Sequence, residues 1–266
     1  MENKPKYTVP TMAELARQGV DPEVLLWIGC AGSYDERYKK VTKAFVKILN
    51  LANISFAVLG DEETCTGDPA RRAGNEFLFQ MQAMSNIQVL NGYNIKKIVT
   101  ACPHCYNTIK NEYPDLGGTY EVVHHSEFLN ELIEKGKLKI DENDEFKNRK
   151  ITYHDSCYLG RSNQIYEAPR KIIESLQADL VEMKRNKQNG LCCGAGGAQM
   201  FKESEKGNKD VNIERTEEAL ETDANIIASA CPFCMTMLSD GIKNKERENE
   251  VKVLDLAELI SRSKNL

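Results

Sequence analysis

Short apolar runs and amphipathic stretches follow one another twice along this chain, in the same order both times. Each round opens with a run that reads as a strand, VLLWIG at 24–29 and KITYHDS at 150–156, because a short apolar or β-branched run bounded by polar residues suits a buried strand. A helix is expected next. Val41, Ala44, Phe45, Ile48 and Leu49 fall on one helical face, and Ile172, Ile173 and Leu176 play the same part after Pro169, which suits a first helical turn. A second strand follows (SFAVLG or ADLVEM), then a glycine-bearing loop and a long helical stretch; in the first round Asp68-Pro69 reads as an N-cap and first-turn proline for it. KKIVTACPHC at 96–105 and ANIIASACPFC at 224–234 each end a β-branched run on Cys-Pro-x-Cys. Both rounds close with a strand running into a helix, YEVVHHSEFLNELI and VKVLDLAELI. The repeated order β-α-β-α-β-α-β-α predicts an α/β fold: two tandem, duplicated domains, each with a small, mainly parallel sheet flanked by helices. The expected boundaries are an N-terminal arm at 1–19, a first domain at 20–140 and a second at 141–266, with the charge-rich stretch 134–150 as a solvated linker or surface hairpin.

The nine cysteines confirm the duplication. Cys30, Cys65, Cys102 and Cys105 are matched by Cys157, Cys192 with Cys193, Cys231 and Cys234; Cys157 lies 127 positions after Cys30, and Cys192 lies 127 after Cys65. Two copies of one domain explain a repeat of this length.

Composition limits what these thiols can be for. With 41% apolar and 28% charged residues and a net charge of −5, the chain reads as an ordinary globular protein. The longest run free of charged or strongly polar side chains, Val24 to Gly32, is far short of the ~18–20 residues that cross a bilayer. The polar first fifteen residues do not resemble a signal or transit peptide, so a cytoplasmic location is expected. The mildly acidic balance and the absence of a basic, aromatic patch argue against nucleic acid as a partner. An odd cysteine count without an export signal argues against a disulfide framework.

Loops leaving the carboxyl ends of parallel strands gather on one sheet edge, where ligands of such folds bind. The cysteines after the strands therefore converge there. Each Cys-Pro-x-Cys is expected to begin a helix, whose free N–H groups favour thiolate. Glycines beside Cys65 and Cys192/Cys193 let backbone approach a bulky inorganic group. Soft thiolates select zinc or iron–sulfur clusters; zinc takes four ligands, and a regular cubane also needs four. A fifth thiolate in the second round implies a sulfur that bridges irons, or a spare thiol beside the cluster.

The motif Cys-x34-Cys-Cys-Gly-x36-Cys-x2-Cys in the second half, with Cys-x34-Cys-Thr-Gly-x34-Cys-x2-Cys in the first, resembles the cysteine-rich "CCG" domain family over residues 20–262. Its best-known members are a heterodisulfide reductase component and the iron–sulfur subunits of glycolate, lactate and glycerol-3-phosphate oxidation systems. The resemblance implies duplicated α/β domains and redox clusters that pass electrons between flavin or ferredoxin donors and a disulfide or quinone acceptor. It further implies that Cys157, Cys192, Cys193, Cys231 and Cys234 ligate a noncubane [4Fe-4S] cluster. Thr66 stands where the second half has Cys193, so Cys30, Cys65, Cys102 and Cys105 are left to hold a cubane [4Fe-4S] cluster or zinc. The closing stretch also resembles the end of larger membrane-associated iron–sulfur oxidoreductases. No Cys-x2-Cys-x2-Cys run is present, so a ferredoxin-like iron–sulfur subunit, a flavoprotein or both are the expected partners, with any association with the inner membrane made through them.

Remaining features have competing readings. Cys193, as the extra thiolate, is a candidate for binding an acceptor sulfur, and His154 is a candidate catalytic neighbour that moves protons or, with Asp155, hydrogen-bonds near Cys157. Arg161 is a candidate cationic neighbour or a plain surface residue, and His124 and His125, at a strand end, read as structural. CPHC in isolation matches a dithiol oxidoreductase, whose first cysteine is exposed. A zinc-stapled interaction module is a further alternative. Gly194, Gly196 and Gly197 do not follow a strand and so are not a dinucleotide fingerprint.

Overall fold

The computed structural model describes residues 7–140, 145–203 and 206–266. The first round folds as α1 (Met12–Gln18), β1 (Val24–Trp27), α2 (Gly29–Tyr34), α3 (Lys39–Leu51), β2 (Phe56–Ala57), α4 (Asp68–Arg72), α5 (Glu76–Gly92), β3 (Lys97–Thr100), α6 (Pro103–Asn107), β4 (Glu121–His124) and α7 (His125–Glu134). The second folds as β5 (Lys150–Tyr153), α8 (Glu167–Ser175), β6 (Asp179–Leu180), α9 (Val211–Leu220), β7 (Ile226–Ser229), α10 (Pro232–Asn244), β8 (Lys252–Asp255) and α11 (Leu256–Ser263). Each round forms a four-stranded sheet, in the orders β2-β1-β3-β4 and β6-β5-β7-β8. Every pairing within them is parallel, as expected for strands separated by helices.

The central stretches of the strands are buried because both faces of each sheet are covered. In β1, Val24 and Leu26 join one core while Leu25 and Trp27 join another on the opposite face. The first of these cores is common to the two domains. It is filled by a layer of four helices, α3 and α7 from the first round and α8 and α11 from the second, with α3 packed on α11 and α7 on α8. Phe45, Ile48, Leu129, Ile172, Leu259 and Ile260 are fully or almost fully buried there, and each such side chain contributes roughly 1.5–3 kcal/mol. Because α3 corresponds to α8 and α7 to α11, exchanging the rounds leaves the layer unchanged: the halves are related by a pseudo-twofold. Two polar links fasten it. The Arg37 guanidinium donates to both oxygens of Glu258 at 2.8 and 2.7 Å, and His125 Nε2 lies 2.9 Å from Asp255 Oδ1.

Three expectations are modified. The long helix expected from Asp68 is broken: α4 ends at Arg72, Gly74 turns the chain with φ +88°, and α5 restarts after Asn75, whose side chain accepts from the Leu78 amide. Asp68 is not a cap, since Gly67 occupies that position with φ +91° and the buried Asp68 carboxylate is used elsewhere. Within the N-terminal arm, α1 carries a Thr11/Glu14 capping box and is tied to the first sheet by a parallel bridge from Thr11 to Val58. Of the expected linker, 141–144 lie outside the described residues, and on either side Leu138 and Phe146 are buried in the shared core rather than solvated.

Candidate functional site

In both sheets the strand order reverses between the two central strands, β1 and β3 or β5 and β7, and the crevice at their carboxyl ends is the usual ligand position of such folds. All nine cysteines lie at these two edges. Cys30 sits in α2 just past β1, Cys65 in the loop after β2, and Cys102 and Cys105 at the start of α6 past β3. Cys157 follows β5, Cys192 and Cys193 lie in the loop after β6, and Cys231 and Cys234 open α10 past β7. Each Cys-Pro-x-Cys does start a helix: Cys102 and Cys231 are the N-cap residues in extended conformation, and the prolines take the first helical position, where no N–H is needed.

All nine are free thiols, and they converge in two groups. In the first, Cys30 hydrogen-bonds with Cys65 and Cys102 with Cys105. In the second the contacts form an unbroken chain: Cys157 to Cys192, Cys192 to Cys193, Cys193 to Cys234 and Cys234 to Cys231. The two groups share one gradient of exposure. Cys30 and Cys65, like Cys157 and Cys192, are half-buried, whereas the Cys-Pro-x-Cys pairs and Cys193 are buried. Cys102, at 5% exposure, therefore lacks the accessibility that a dithiol nucleophile requires.

The loops explain why glycine follows the second cysteine in both rounds. Gly67 and Gly194 share φ +91°, a conformation that other residues rarely adopt, and it aims their amides back at sulfur: Gly67 N–H donates to Cys65 Sγ at 3.5 Å and Gly194 N–H to Cys192 Sγ at 3.3 Å. Thr66 fills the place of Cys193; its hydroxyl lies 4.0 Å from Cys105 Sγ, as Cys193 meets Cys234.

Thiolate is favoured unevenly. Hydrogen bonds from Cys157 and Cys193, with help from the Gly194 and Gly196 amides, drive Cys192 far below the ordinary thiol range, while the same bond and burial push Cys157 up. The hydrogen bond from Cys30 brings Cys65 down to about 7. Burial opposes ionisation of Cys231, but hydrogen bonds from Cys234 and His104 outweigh it and hold its pKa well below the thiol norm.

Of the histidines, His154 is brought to the second group: one ring nitrogen lies within 4.8 Å of the sulfurs of Cys193 and Cys234. Burial and the nearby Arg215 charge hold its pKa down to about 3, so the ring is neutral at physiological pH. Nδ1 accepts from Arg215 Nε at 2.9 Å, and Nε2 is buried with no hydrogen-bond partner among the described residues. Asp155 is held by Arg170, which donates to both its oxygens at 2.9 Å. Arg161 is exposed, although its charge reaches His154. His124 and His125 are buried and structural, as expected, at the end of β4 between the domains.

Three participants were not visible in the sequence. Glu63 accepts from the Ile28 and Gly29 amides at 3.0 and 2.6 Å and so clamps the turn that carries Cys30; burial raises its pKa to about 7 against the pull of those amides. Arg215 is fully buried on α9, and its place on the inner stripe of an amphipathic helix was the available signal. The Asp68–His104 pair, at 2.8 Å, joins residues 36 positions apart and left no local pattern.

The cysteine-rich domain model named CCG matches residues 24–110 and again 151–239. The chain is 48% identical to "Probable iron-sulfur-binding oxidoreductase FadF" of Bacillus subtilis strain 168, over 98% of this chain and 37% of that protein. It is 45% identical to "EtfAB:quinone oxidoreductase" of Syntrophomonas wolfei, over 92% of this chain and 35% of that protein. It is 34% identical to one component of the dihydromethanophenazine:CoB--CoM heterodisulfide reductase of Methanosarcina barkeri, over 92% of this chain and 59% of that protein. This chain thus spans between about a third and three fifths of the length of these relatives. With the family model matched in tandem and a thiol group at the switch point of each sheet, the chain belongs to the CCG cysteine-rich domain family.

Proposed function

We propose that this chain is the thiolate-rich, electron-carrying part of an iron–sulfur oxidoreductase. The observation that carries this reading is the unbroken chain of five sulfurs, Cys157, Cys192, Cys193, Cys234 and Cys231, at one sheet edge. Five converging soft donors exceed what one zinc ion takes and suit an iron–sulfur cluster, with the noncubane [4Fe-4S] form as the expected type. A neighbouring buried His154 Nε2 without a partner fits the same group, since a buried polar atom otherwise has no compensation. Cys30, Cys65, Cys102 and Cys105 make a four-donor set that suits a cubane cluster or zinc.

An iron–sulfur cluster bound there supplies reversible one-electron transfer. The protein's part is to hold and shade it. Cys157 and Cys192 stand on the solvent side, where a partner approaches, and the buried Cys231 and Cys234 anchor the inner side. The Gly194 amide donates to Cys192 and stabilises negative charge on sulfur. Cys193, expected to contact an acceptor, is as buried as Cys102 and holds the group from the inside between Cys192 and Cys234, while His154, neutral and locked by Arg215, positions rather than titrates. The names of the relatives favour a quinone or a disulfide as acceptor, with a flavoprotein or a ferredoxin-like iron–sulfur partner as the expected donor. Among the described residues no helix is long and apolar enough to cross a membrane.

The test is anaerobic purification followed by iron, sulfide and zinc analysis with EPR, on wild type and Cys193→Ser. Iron with acid-labile sulfide, and a spectrum altered by Cys193→Ser, is the expected result. Zinc near two per chain without iron would instead make the protein a zinc-stapled module.

A further inference from the structure

His104 is the variable residue of the first Cys-Pro-x-Cys, yet its ring does not stay with the first group of thiols. It packs at a tilt against Phe233, the variable residue of the second Cys-Pro-x-Cys, with centroids 4.6 Å apart, and against Tyr158 at 4.4 Å. The two motifs therefore meet across the pseudo-twofold through their x positions, and only one of them carries a polar ring. Nδ1 lies 2.8 Å from Asp68 Oδ2, and Cys231 of the second domain is close enough for the ring to act on its sulfur. Asp68 is itself fixed by Arg72 Nε at 2.9 Å, and Arg72 is paired with Glu112. His104 and Asp68 are both buried, so this arrangement is shielded from water and its hydrogen bonds are correspondingly strong.

We infer that His104 is a positioning residue for the second domain's centre: held by Asp68 of the first domain, it donates a hydrogen bond to Cys231 Sγ across the pseudo-twofold. Between a carboxylate and a thiolate, both of them acceptors, each ring nitrogen has an acceptor to donate to. A donor on a ligating sulfur withdraws negative charge, and hydrogen bonds to the sulfurs are among the factors that set a cluster's potential. The first domain thereby sets a property of the second centre without supplying it a ligand. The tuning rests on the iron–sulfur reading above, whereas the hydrogen bond itself does not.

Two measurements on the full chain test it separately. In reduced, metal-free protein, histidine ring 15N spectra of wild type, Cys231→Ser and Asp68→Asn should each differ at His104. Unchanged His104 resonances in Cys231→Ser would overturn the hydrogen bond whatever metal the protein takes. In anaerobically reconstituted protein, EPR-monitored titration should show the second centre of His104→Phe at a more negative midpoint, by about a tenfold change in the one-electron equilibrium, or ~59 mV. His104→Gln, which keeps an N–H donor, should lie between it and wild type. A His104→Phe midpoint equal to wild type at equal iron content, or a change confined to the first centre, would overturn the tuning. Absence of iron from the wild type would defeat the iron–sulfur reading and the tuning with it, leaving the spectra to decide the hydrogen bond.

Discussion

Arg215 donates from Nε to His154 Nδ1 at 2.9 Å, with both side chains buried. A neutral ring that accepts at Nδ1 carries its hydrogen at Nε2, the nitrogen without a partner, so Arg215 fixes the tautomer that offers a donor to the second group of thiols. Arg215 also bonds Glu218 Oε2 at 3.0 Å and the Arg185 carbonyl at 2.8 Å. Arg215→Met should therefore cost about 3–5 kcal/mol in chemical denaturation, because it leaves these buried acceptors short of a donor. A loss below about 1 kcal/mol would mean that the surroundings relax.

Thr66 occupies the place of the fifth thiol, near Cys105. Thr66→Cys is expected to give the first domain the donor set of the second. Reconstituted Thr66→Cys should then show an altered first-centre EPR spectrum, or gain iron and lose zinc. Metal content and spectrum identical to wild type would show that the sulfur at 66 does not reach the site.

Gly67 and Gly194 share one φ but not one environment. A Cβ on Gly194 would meet its nearest neighbours at 3.4 Å, whereas one on Gly67 would lie 2.8 Å from the Phe79 ring and 3.1 Å from the Phe79 carbonyl oxygen. Gly194→Ala should cost about 1–2 kcal/mol, from backbone conformation alone. Gly67→Ala should cost more, and thermal unfolding of the two variants gives the order directly.

Burial, reinforced by repulsion from His125, holds His124 well below the ordinary histidine pKa. The folded ring stays neutral while the unfolded one takes up a proton near pH 6.5, so this stability is present above that pH and is lost as pH falls below it. One proton corresponds to a slope of about 1.4 kcal/mol per pH unit. His124→Asn, which retains a side-chain cap for α7, should flatten that part of the stability profile between about pH 6 and 5. Parallel profiles for the variant and wild type would assign the acid sensitivity to other groups.

Much of the fold was legible because its signals are local and repeated. Strand runs such as VLLW end just before cysteines, and Cys-Pro marks the starts of α6 and α10 in the chain itself. Asp68 was misread for the complementary reason. Asp-Pro is a good local cap, but His104 and Arg72 offer a buried carboxylate two partners, and that tertiary bonding prevailed. Glu63 and Arg215 escaped notice because their partners are backbone groups or side chains tens of positions away. The pseudo-twofold contact between His104 and Phe233 depends on how two domains pack, which no spacing along the chain encodes.

The four-helix layer makes the halves mutually dependent. A fragment ending near residue 140 would bare the inner surfaces of α3 and α7, and its complement those of α8 and α11. Produced alone, either piece would be sticky and prone to precipitate or to pair with itself. Duplication here has yielded an inseparable pair, and damage at the seam would be felt at both thiol clusters together.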